Sequence, residues 1–362
     1  MEERKVDHIR VCLEENVQAQ RKTTGFEDIF LVHKALPEIE RKQIGLSTVV
    51  FKHEFSAPLL VGAMTGGTEK ASKINAAIAE AVEELGLGMG VGSQRVAIED
   101  PRLEGSFAIA REKAPTAFLV ANIGGAQLVD GYGAKEAKRA VKILKANALA
   151  IHLNPLQEVV QPEGETNYSG VIDKIGEITR ALEVPVIVKE TGAGIATEEA
   201  KKLEEAGVAG IDVAGVGGTS WAAVEFHRAK RTRDKFRQRL GQTFWDWGIP
   251  TAPSLVEVAR SVHIPVIASG GIRFGTEAAK SLALGASLVS MTAPILKATT
   301  KGPEEVKQTL QFVIEELRNT MFLVGAESVL KLQEKPVVLT GKTAEWLRMR
   351  GFKPELYARR KA

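Results

Sequence analysis

Four polar side chains cluster where one short apolar run in the middle of the chain ends. His152 lies within the run at residues 149–153, and Asn154, Gln157 and Glu158 follow it closely. Because alternate residues of a strand face the same side, His152 and Asn154 are expected to project together. Glu158 offers the hard carboxylate oxygens that bind Mg²⁺ together with substrate phosphates. The stretch therefore predicts a polar binding site, although a lone histidine is more often structural.

A second candidate is Lys189, which ends another apolar run and is followed by Glu190. A lysine in this position could form a Schiff base, or it could stabilise negative charge on a reduced flavin ring. The simpler alternative is an ion pair with a neighbouring carboxylate. The sequence leaves these three roles open.

A third candidate is the glycine pair Gly270-Gly271, with Arg273 two residues later. Adjacent glycines let backbone N–H groups approach a phosphate closely. Thr292 and Ala293 follow the next apolar run. In a (β/α)8 barrel the loops after the last two strands form the recurrent phosphate site, so we predict a phosphate here.

The elements that must position these residues are short apolar runs alternating with amphipathic segments. Runs buried on both faces are typical of parallel strands, and the segments between them are typical of crossover helices. Eight strands are predicted, at residues 58–64, 86–91, 118–123, 149–153, 185–189, 210–214, 265–269 and 287–292. Eight such units favour an α/β fold of the (β/α)8 TIM-barrel type over a doubly wound sheet, because a barrel needs no edge strand.

We expect one domain with three parts: an N-terminal extension over residues 1–57, a barrel core over 58–300 and a C-terminal helical segment over 301–362. A helix is predicted from about residue 5 to residue 15. The long connection at residues 218–250 contains Trp221, Trp245 and Trp247, and long loops at this end of a barrel usually cover a site.

Composition excludes several classes of protein. The 362 residues carry a formal net charge of +3, which gives no general case for a nucleic-acid or membrane partner. With Cys12 as the only cysteine, no disulfide or cysteine-based zinc site forms within one chain. The charged start has no signal-like apolar core, and no apolar run reaches the length of a membrane span. We expect a cytoplasmic protein.

Two basic regions allow alternative interpretations. Arg4 and His8 share a helix face next to Lys5, but a solvated charged tail is the simpler interpretation. The run at residues 227–233 could suggest nucleic-acid binding. It is more simply a solvated helix, or a lid whose charges face water. His33, His53, His227 and His263 are taken as ordinary surface or packing residues.

Together these motifs resemble the type 2 isopentenyl-diphosphate isomerases over essentially the whole chain. The resemblance is carried by residues 4–8 and by the motifs MTGG, GSQR, ANIGG, HLNPLQE, VKETGAG, DVAGVGGTSW and ASGGIR. HLNPLQE is highly specific, whereas SGGIR occurs in many FMN barrels. The resemblance implies interconversion of isopentenyl and dimethylallyl diphosphate with reduced FMN, Mg²⁺ and NAD(P)H as reductant. We also expect a homo-oligomer, a tetramer or larger.

The same resemblance implies a role for each matching residue. Expected FMN-binding residues are Ala63, Met64, Thr65, Ser93, Asn122, Lys189, Thr219, Gly270, Gly271, Arg273, Thr292 and Ala293. Expected substrate-binding residues are Arg4, Lys5, His8, Ser93, Gln94, Arg95, His152, Asn154 and Gln157, with Glu158 as the Mg²⁺ ligand. Gln157, His152, Asn154 and Lys189 are the expected catalytic residues. The barrel mouth is expected to be poor in carboxylates, which favours a cofactor as the acid–base group.

Rival functions predict different residues. An IMP-dehydrogenase-like enzyme needs a cysteine in the loop after the sixth strand, where this chain has GVGGTSW. A 2-hydroxy-acid oxidase is expected to carry a histidine with arginine partners late in the barrel, and none stands there. A nucleic-acid-binding protein would use the basic residues 227–239, which the nearly balanced charge disfavours.

Overall fold

The computed structural model describes residues 2–360, with the side chains of residues 2–4 outside that description. Arg4 is therefore a predicted site residue whose side chain lies outside the described residues. The N-terminal extension contains helix α1 (Glu2–Glu14) and strands β1 (Ile29–Leu31), β2 (Thr48–Val50) and β3 (His53–Phe55). Helix α1 thus begins before the predicted boundary at residue 5.

Eight parallel strands close into a barrel, as the sequence predicts. They are β4 (Leu59–Val61), β5 (Gly88–Gly90), β6 (Phe118–Gly124), β7 (Ala148–Leu153), β8 (Val186–Glu190), β9 (Gly210–Asp212), β10 (Val266–Ala268) and β11 (Leu288–Met291). Each falls at a predicted run to within a few residues. The closed order β10-β11-β4-β5-β6-β7-β8-β9 places β10 opposite β6, so the doubly wound alternative is wrong.

Helices surround this barrel and continue past it. They are α2 (Glu69–Leu85), α3 (Arg95–Glu99), α4 (Gly105–Lys113), α5 (Ala134–Leu144), α6 (Pro155–Val160), α7 (Val171–Ala181), α8 (Thr197–Glu205), α9 (Trp221–Arg231), α10 (Lys235–Thr243), α11 (Thr251–Ala259), α12 (Gly275–Leu284), α13 (Ala293–Thr299), α14 (Pro303–Leu323), α15 (Val329–Glu334), α16 (Gly341–Met349) and α17 (Glu355–Ala358). A last strand, β12 (Val337–Leu339), pairs antiparallel with β1 and ties the two ends of the chain together.

Alternation along the strands separates two apolar layers. Leu59 and Val61 of β4 pack among the helices, whereas Leu60 points into the barrel with Phe118 and Ile267. Alternate side chains of a strand face opposite sides, so each strand contributes to both layers. The barrel is therefore a packed core rather than a pore.

The β2–β3 hairpin belongs to the apolar cluster inside the barrel. Val50 and Phe55 lie in that cluster, and the Phe51 ring stacks on Phe118 with centroids 5.8 Å apart. A Cβ on Gly210, which begins β9, would lie 2.6 Å from the Phe51 ring, so this position requires glycine. The strands begin on this side, which leaves their carboxyl ends free to form a site.

The long connection between β9 and β10 forms helices α9, α10 and α11. Helix α9 packs against α10, α6 and α1, and Val11 of α1 joins Val224 and Trp245 in a small apolar cluster. The expectation of a solvated basic helix is wrong for Arg228, whose side chain is 13% exposed and whose guanidinium lies 2.6 Å from Glu225 and 3.1 Å from Glu163. Arg228 thus faces carboxylates, whereas Lys230, Arg231 and Arg233 of the same run are exposed. Within the part of the chain that the structure describes, no helix combines the length and apolarity needed to cross a membrane.

Candidate active site

A cavity of about 290 Å³ opens at the carboxyl ends of the barrel strands. Almost all the predicted site residues line it, although they come from distant parts of the sequence. They are Lys5, His8, Ala63, Met64, Thr65, Ser93, Arg95, Asn122, His152, Asn154, Gln157, Glu158, Lys189, Thr219, Gly270, Gly271, Arg273, Thr292 and Ala293. The structure therefore brings the predicted cofactor and substrate residues to one place.

The glycine turn after β10 is built by close backbone approach. Gly270 and Gly271 have φ angles of +102° and +75°, which L-residues with side chains rarely adopt. A Cβ on Gly218, in the loop after β9, would lie 2.5 Å from the Gly271 nitrogen. Arg273 fixes the turn, since its guanidinium donates to the Gly271 carbonyl at 2.7 Å and to the Gln18 side chain at 2.8 Å.

Lys189 is the next-to-last residue of β8, and its Nζ lies 2.7 Å from the backbone carbonyl of Glu190. The predicted alternative, an ion pair with a neighbouring carboxylate, does not describe this contact. Glu190 turns away and accepts hydrogen bonds from the backbone N–H groups of Thr191, Gly192 and Ala193. Its Oε1 is buried and has no hydrogen-bond partner among the described residues, and burial raises the pKa of the Glu190 carboxyl to about 7.

Residues after β7 form a connected polar cluster. The Asn154 amide donates to Gln157 at 3.1 Å and to Glu158 Oε1 at 2.8 Å. Glu158 Oε2 accepts from the Gln161 amide at 2.5 Å and from the Glu165 backbone at 2.7 Å. The motif HLNPLQE thus supplies both the end of β7 and the first turn of α6. Hydrogen bonds within it orient the polar side chains.

The N-terminal helix reaches over this cavity, so the expectation of a solvated tail is wrong for Lys5 and His8. Lys5 donates to the Ser93 carbonyl at 2.8 Å. His8 Nε2 lies 3.0 Å from Glu225 Oε1, and its ring packs edge-on against Trp221 with centroids 5.1 Å apart. An extension far from the barrel in sequence therefore forms one wall of the site.

Arg95 lies after β5 between two carboxylates. Its Nε donates to Glu99 at 2.9 Å, and its Nη1 donates to Glu165 at 2.5 Å. Burial opposes the charge of Arg95, but the bonds to Glu99 and Glu165 outweigh that effect and raise its pKa above the ordinary value. Arg95 therefore carries a permanent positive charge at the cavity.

Two expectations about the site are wrong. Gln94 does not reach the cavity, because its side chain is fully buried and donates to the Ala140 carbonyl while accepting from the Asn122 backbone. The mouth is not poor in carboxylates, since Glu163 and Glu165 line it beside Glu158. Those two residues lie in the loop after α6, which carries no strand-end signal in the sequence.

Several other cavity residues escaped the sequence interpretation. Cys12 and Gln18 come from the N-terminal extension, and Gln127 follows β6. Helical spacing places Cys12 four residues after His8 on the same face of α1, a signal that could have identified it. Gln127 has no comparable signal.

The resemblance implies two groups, FMN and Mg²⁺, and the residues at the glycine turn fit the first. The surface of the turn is made of backbone alone, because Gly270 and Gly271 have positive φ and Gly218 approaches them closely. A phosphate of FMN would be held there by backbone N–H groups. Among the described residues no group of three His, Cys, Asp or Glu is arranged to hold a metal. A Mg²⁺ ion at Glu158 would therefore take most of its ligands from water and substrate phosphates, as Mg²⁺ usually does in proteins.

Comparison with solved structures supports the barrel. A mandelate oxidase variant with a modified FMN is 20% identical, with a TM-score of 0.60 over 88% of this chain and 90% of the oxidase. A lactate oxidase of Pediococcus acidilactici is 17% identical, with a TM-score of 0.65 over 90% of this chain and 88% of that one. These similarities concern the fold.

Relatives found by sequence comparison are far more similar to this chain than these solved structures are. The FMN-dependent dehydrogenase family profile matches residues 111–339. An isopentenyl-diphosphate delta-isomerase of Methanothermobacter thermautotrophicus is 50% identical over 358 residues, 99% of each chain. Another, from Pyrococcus furiosus, is 49% identical over 96% of this chain and 89% of that one. On this agreement over nearly the full length, the chain belongs to the isopentenyl-diphosphate delta-isomerase family, in its FMN-dependent form.

Proposed function

We propose that this chain interconverts isopentenyl diphosphate and dimethylallyl diphosphate with FMN bound at the barrel mouth. The observation that carries the proposal is that one cavity is lined at two separate places by residues suited to bind anions. The glycine turn with Arg273 follows β10, whereas Arg95 and Glu158 follow β5 and β7, on either side of β6. Because β10 and β6 face each other across the barrel, a cofactor phosphate and a substrate diphosphate would have distinct places.

The reaction requires a proton to be added at the terminal methylene of the substrate and another to be removed from C2. An alkene is a very weak base, and water would quench the tertiary cation that develops. The cavity supplies apolar surface for the hydrocarbon from Ile9, Met64, Trp221 and Leu296. These side chains exclude water from the reacting carbons while the charged residues hold the other end.

FMN would be held by the residues predicted from the sequence that line the cavity. They are Ala63, Met64, Thr65, Ser93, Asn122, Lys189, Thr219, Gly270, Gly271, Arg273, Thr292 and Ala293. When bound and reduced, FMN supplies the acid–base group for the proton transfers. NAD(P)H is the proposed reductant.

Lys189 projects a cation into the cavity from β8, and its ammonium is oriented by the Glu190 carbonyl. It would stabilise negative charge on the reduced ring. Gln157 would contact the substrate through its amide, which Asn154 orients. With His152 and Asn154, these are the proposed catalytic residues.

The diphosphate would be bound by Arg4, Lys5, His8, Ser93 and Arg95, together with His152, Asn154 and Gln157. Lys5 and Arg95 bring positive charge to the same side of the cavity as Glu158, which is the proposed Mg²⁺ ligand. Charge-assisted bonds at this end fix the orientation of a small hydrocarbon that has no polar group of its own. Gln94 is left out of this set because its side chain donates to the Ala140 carbonyl and does not reach the cavity.

The remaining expectations are also proposals. We propose that the extension, core and C-terminal segment form one domain, and that the protein acts in the cytoplasm as a homo-oligomer of four or more subunits. Light scattering after size-exclusion chromatography would measure the number of subunits. A monomeric mass would contradict the last proposal.

An anaerobic assay tests the function. The purified protein is loaded with FMN, reduced with NADPH or dithionite, and given isopentenyl diphosphate with Mg²⁺. We expect dimethylallyl diphosphate to accumulate to an equilibrium mixture with the reduced protein, and no conversion with the oxidised protein. Equal inactivity of the two forms would contradict the proposal.

A further inference from the structure

The carboxylate of Glu165 lies in the cavity against Arg95, which is proposed to bind the diphosphate, and against Gln127. It accepts from Arg95 Nη1 at 2.5 Å and from the Gln127 amide at 2.6 Å. All three side chains line the cavity. The Arg95 guanidinium and the Gln127 amide are also suitable donors to a phosphate oxygen, so the Glu165 carboxylate occupies a place suited to an anion.

The backbone at this point is held by contacts with α6. The Glu165 N–H donates to Glu158 Oε2 at 2.7 Å, and a Cβ on Gly164 would lie 1.7 Å from the Glu158 carbonyl oxygen. The loop is therefore packed against α6. The Glu165 side chain is 29% exposed, so rotation about its own bonds would release Arg95 without moving the loop.

The charges explain why the contact exists. Arg95 is 23% exposed, and an uncompensated cation at that depth is costly. Glu99 compensates it through Nε, and Glu165 compensates it from the cavity through Nη1. A diphosphate carries more charge than one carboxylate, and the two anions would repel each other at the same guanidinium.

We propose that Glu165 is the resident anion of the diphosphate site and sets the affinity of that site. Substrate displaces the Glu165 carboxylate from Arg95 and Gln127. The loss of these contacts lowers the net free energy of substrate binding. The residue thus weakens ground-state binding while keeping the arginine ordered before substrate arrives. The inference rests on the proposed function, because it takes the occupant to be a diphosphate.

The test is Glu165→Gln in the oxidised, FMN-loaded protein, which binds without turnover. Calorimetry with inorganic pyrophosphate, with and without Mg²⁺, measures the affinity directly. We expect the dissociation constant to fall about fivefold in both conditions, the scale of one part-exposed charge pair. In the reduced enzyme the KM for isopentenyl diphosphate should fall by a similar factor while kcat does not rise.

Glu99→Gln is the matched control. Glu99 pairs with the same arginine but does not line the cavity, so its loss should leave pyrophosphate binding unchanged or weaker. If both variants bound pyrophosphate more tightly by the same factor, the change in net charge alone would explain the effect, and the inference would be overturned. Weaker binding in Glu165→Gln only with Mg²⁺ would make Glu165 a metal ligand instead. If the wild-type protein bound no pyrophosphate, the proposed function would itself fail.

Discussion

His152 and Asn122 are joined by a hydrogen bond between the ends of two neighbouring strands, with 2.9 Å from Nδ1 to Oδ1. Asn122 donates its amide to the Val91 carbonyl at 3.0 Å, which turns its oxygen toward the imidazole. His152 is therefore the donor, through Nδ1. Burial, followed by the nearby charges of Lys189 and Lys5, lowers the pKa of His152 to about 3. The imidazole is neutral at physiological pH.

The neutral His152 imidazole makes stability depend on pH. The unfolded chain protonates His152 near its ordinary pKa of 6.5, whereas the folded chain does so only near 3. Between these values the unfolded state binds more protons, so the free energy of unfolding falls as pH drops below 6.5. We expect His152→Gln to remove a slope of up to about 1.4 kcal/mol per pH unit. Urea denaturation of both proteins at pH 7, 6 and 5 measures it, and parallel curves would contradict the prediction.

Glu190 should change the free energy of unfolding with pH in the opposite direction to His152. Burial raises the pKa of its carboxyl from 4.5 to about 7, against the lowering effect of three backbone N–H donors. The folded chain keeps a proton that the unfolded chain loses, so stability falls as pH rises through this window. Glu190→Gln should remove that fall, with a slope of up to about 1.4 kcal/mol per unit.

The measurement is urea denaturation at pH 5, 6 and 7, compared with Glu183→Gln. Glu183 is exposed just before the same strand, so neutralising it should leave the slope as in the wild-type protein. A slope retained in Glu190→Gln would show that the carboxyl titrates normally.

The fold was predictable because burial on both faces leaves a strong pattern. The run at residues 118–123 is almost wholly apolar and became β6, which is buried along its whole length. Strand ends also identify a site, since every parallel strand delivers its carboxyl end to the same mouth. This is why Lys189 and Gly271, far apart in sequence, were correctly placed together.

The sequence does not show which way a side chain turns after a strand has ended. Gln94 and Arg95 are adjacent, yet Gln94 turns inward to the Ala140 carbonyl and Arg95 lines the cavity. Contacts between distant segments are also invisible to local patterns. His8 meets Glu225 only because α1 packs on α9.

Lys189→Ala should make the bound flavin harder to reduce. Removing the cation that lines the cavity leaves negative charge on the reduced ring without its partner, so the reduction potential should fall. Isomerase activity should drop by at least about a hundredfold, as for loss of one charge-stabilising group. Anaerobic dithionite titration against a reference dye measures the potential. Lys201→Ala, an exposed change on α8, should leave it unaltered.

Gln157→Ala should separate turnover from cofactor binding. Gln157 belongs to the polar cluster with Asn154 and lies away from the glycine turn in sequence and in the barrel order. We expect kcat to fall by about a hundredfold or more, while the FMN dissociation constant stays within about twofold of wild type. Fluorescence quenching of FMN measures the second quantity. Equal losses of turnover and of FMN affinity would contradict the assigned role.

Cys12 should be unreactive in the folded protein although it lines the cavity. Burial raises the pKa of its thiol from 9.0 to about 12, and the thiolate is the reactive form. At pH 8 this shift lowers the thiolate fraction about a thousandfold, so alkylation by iodoacetamide should slow by a comparable factor. Because Cys12 is the only cysteine, the mass of the intact protein reports its labelling directly. The same protein in urea should label at the rate of an ordinary thiol. Rapid labelling of the native protein would show that α1 detaches from the barrel, and pyrophosphate should then suppress it by engaging Lys5 and His8 on the same helix.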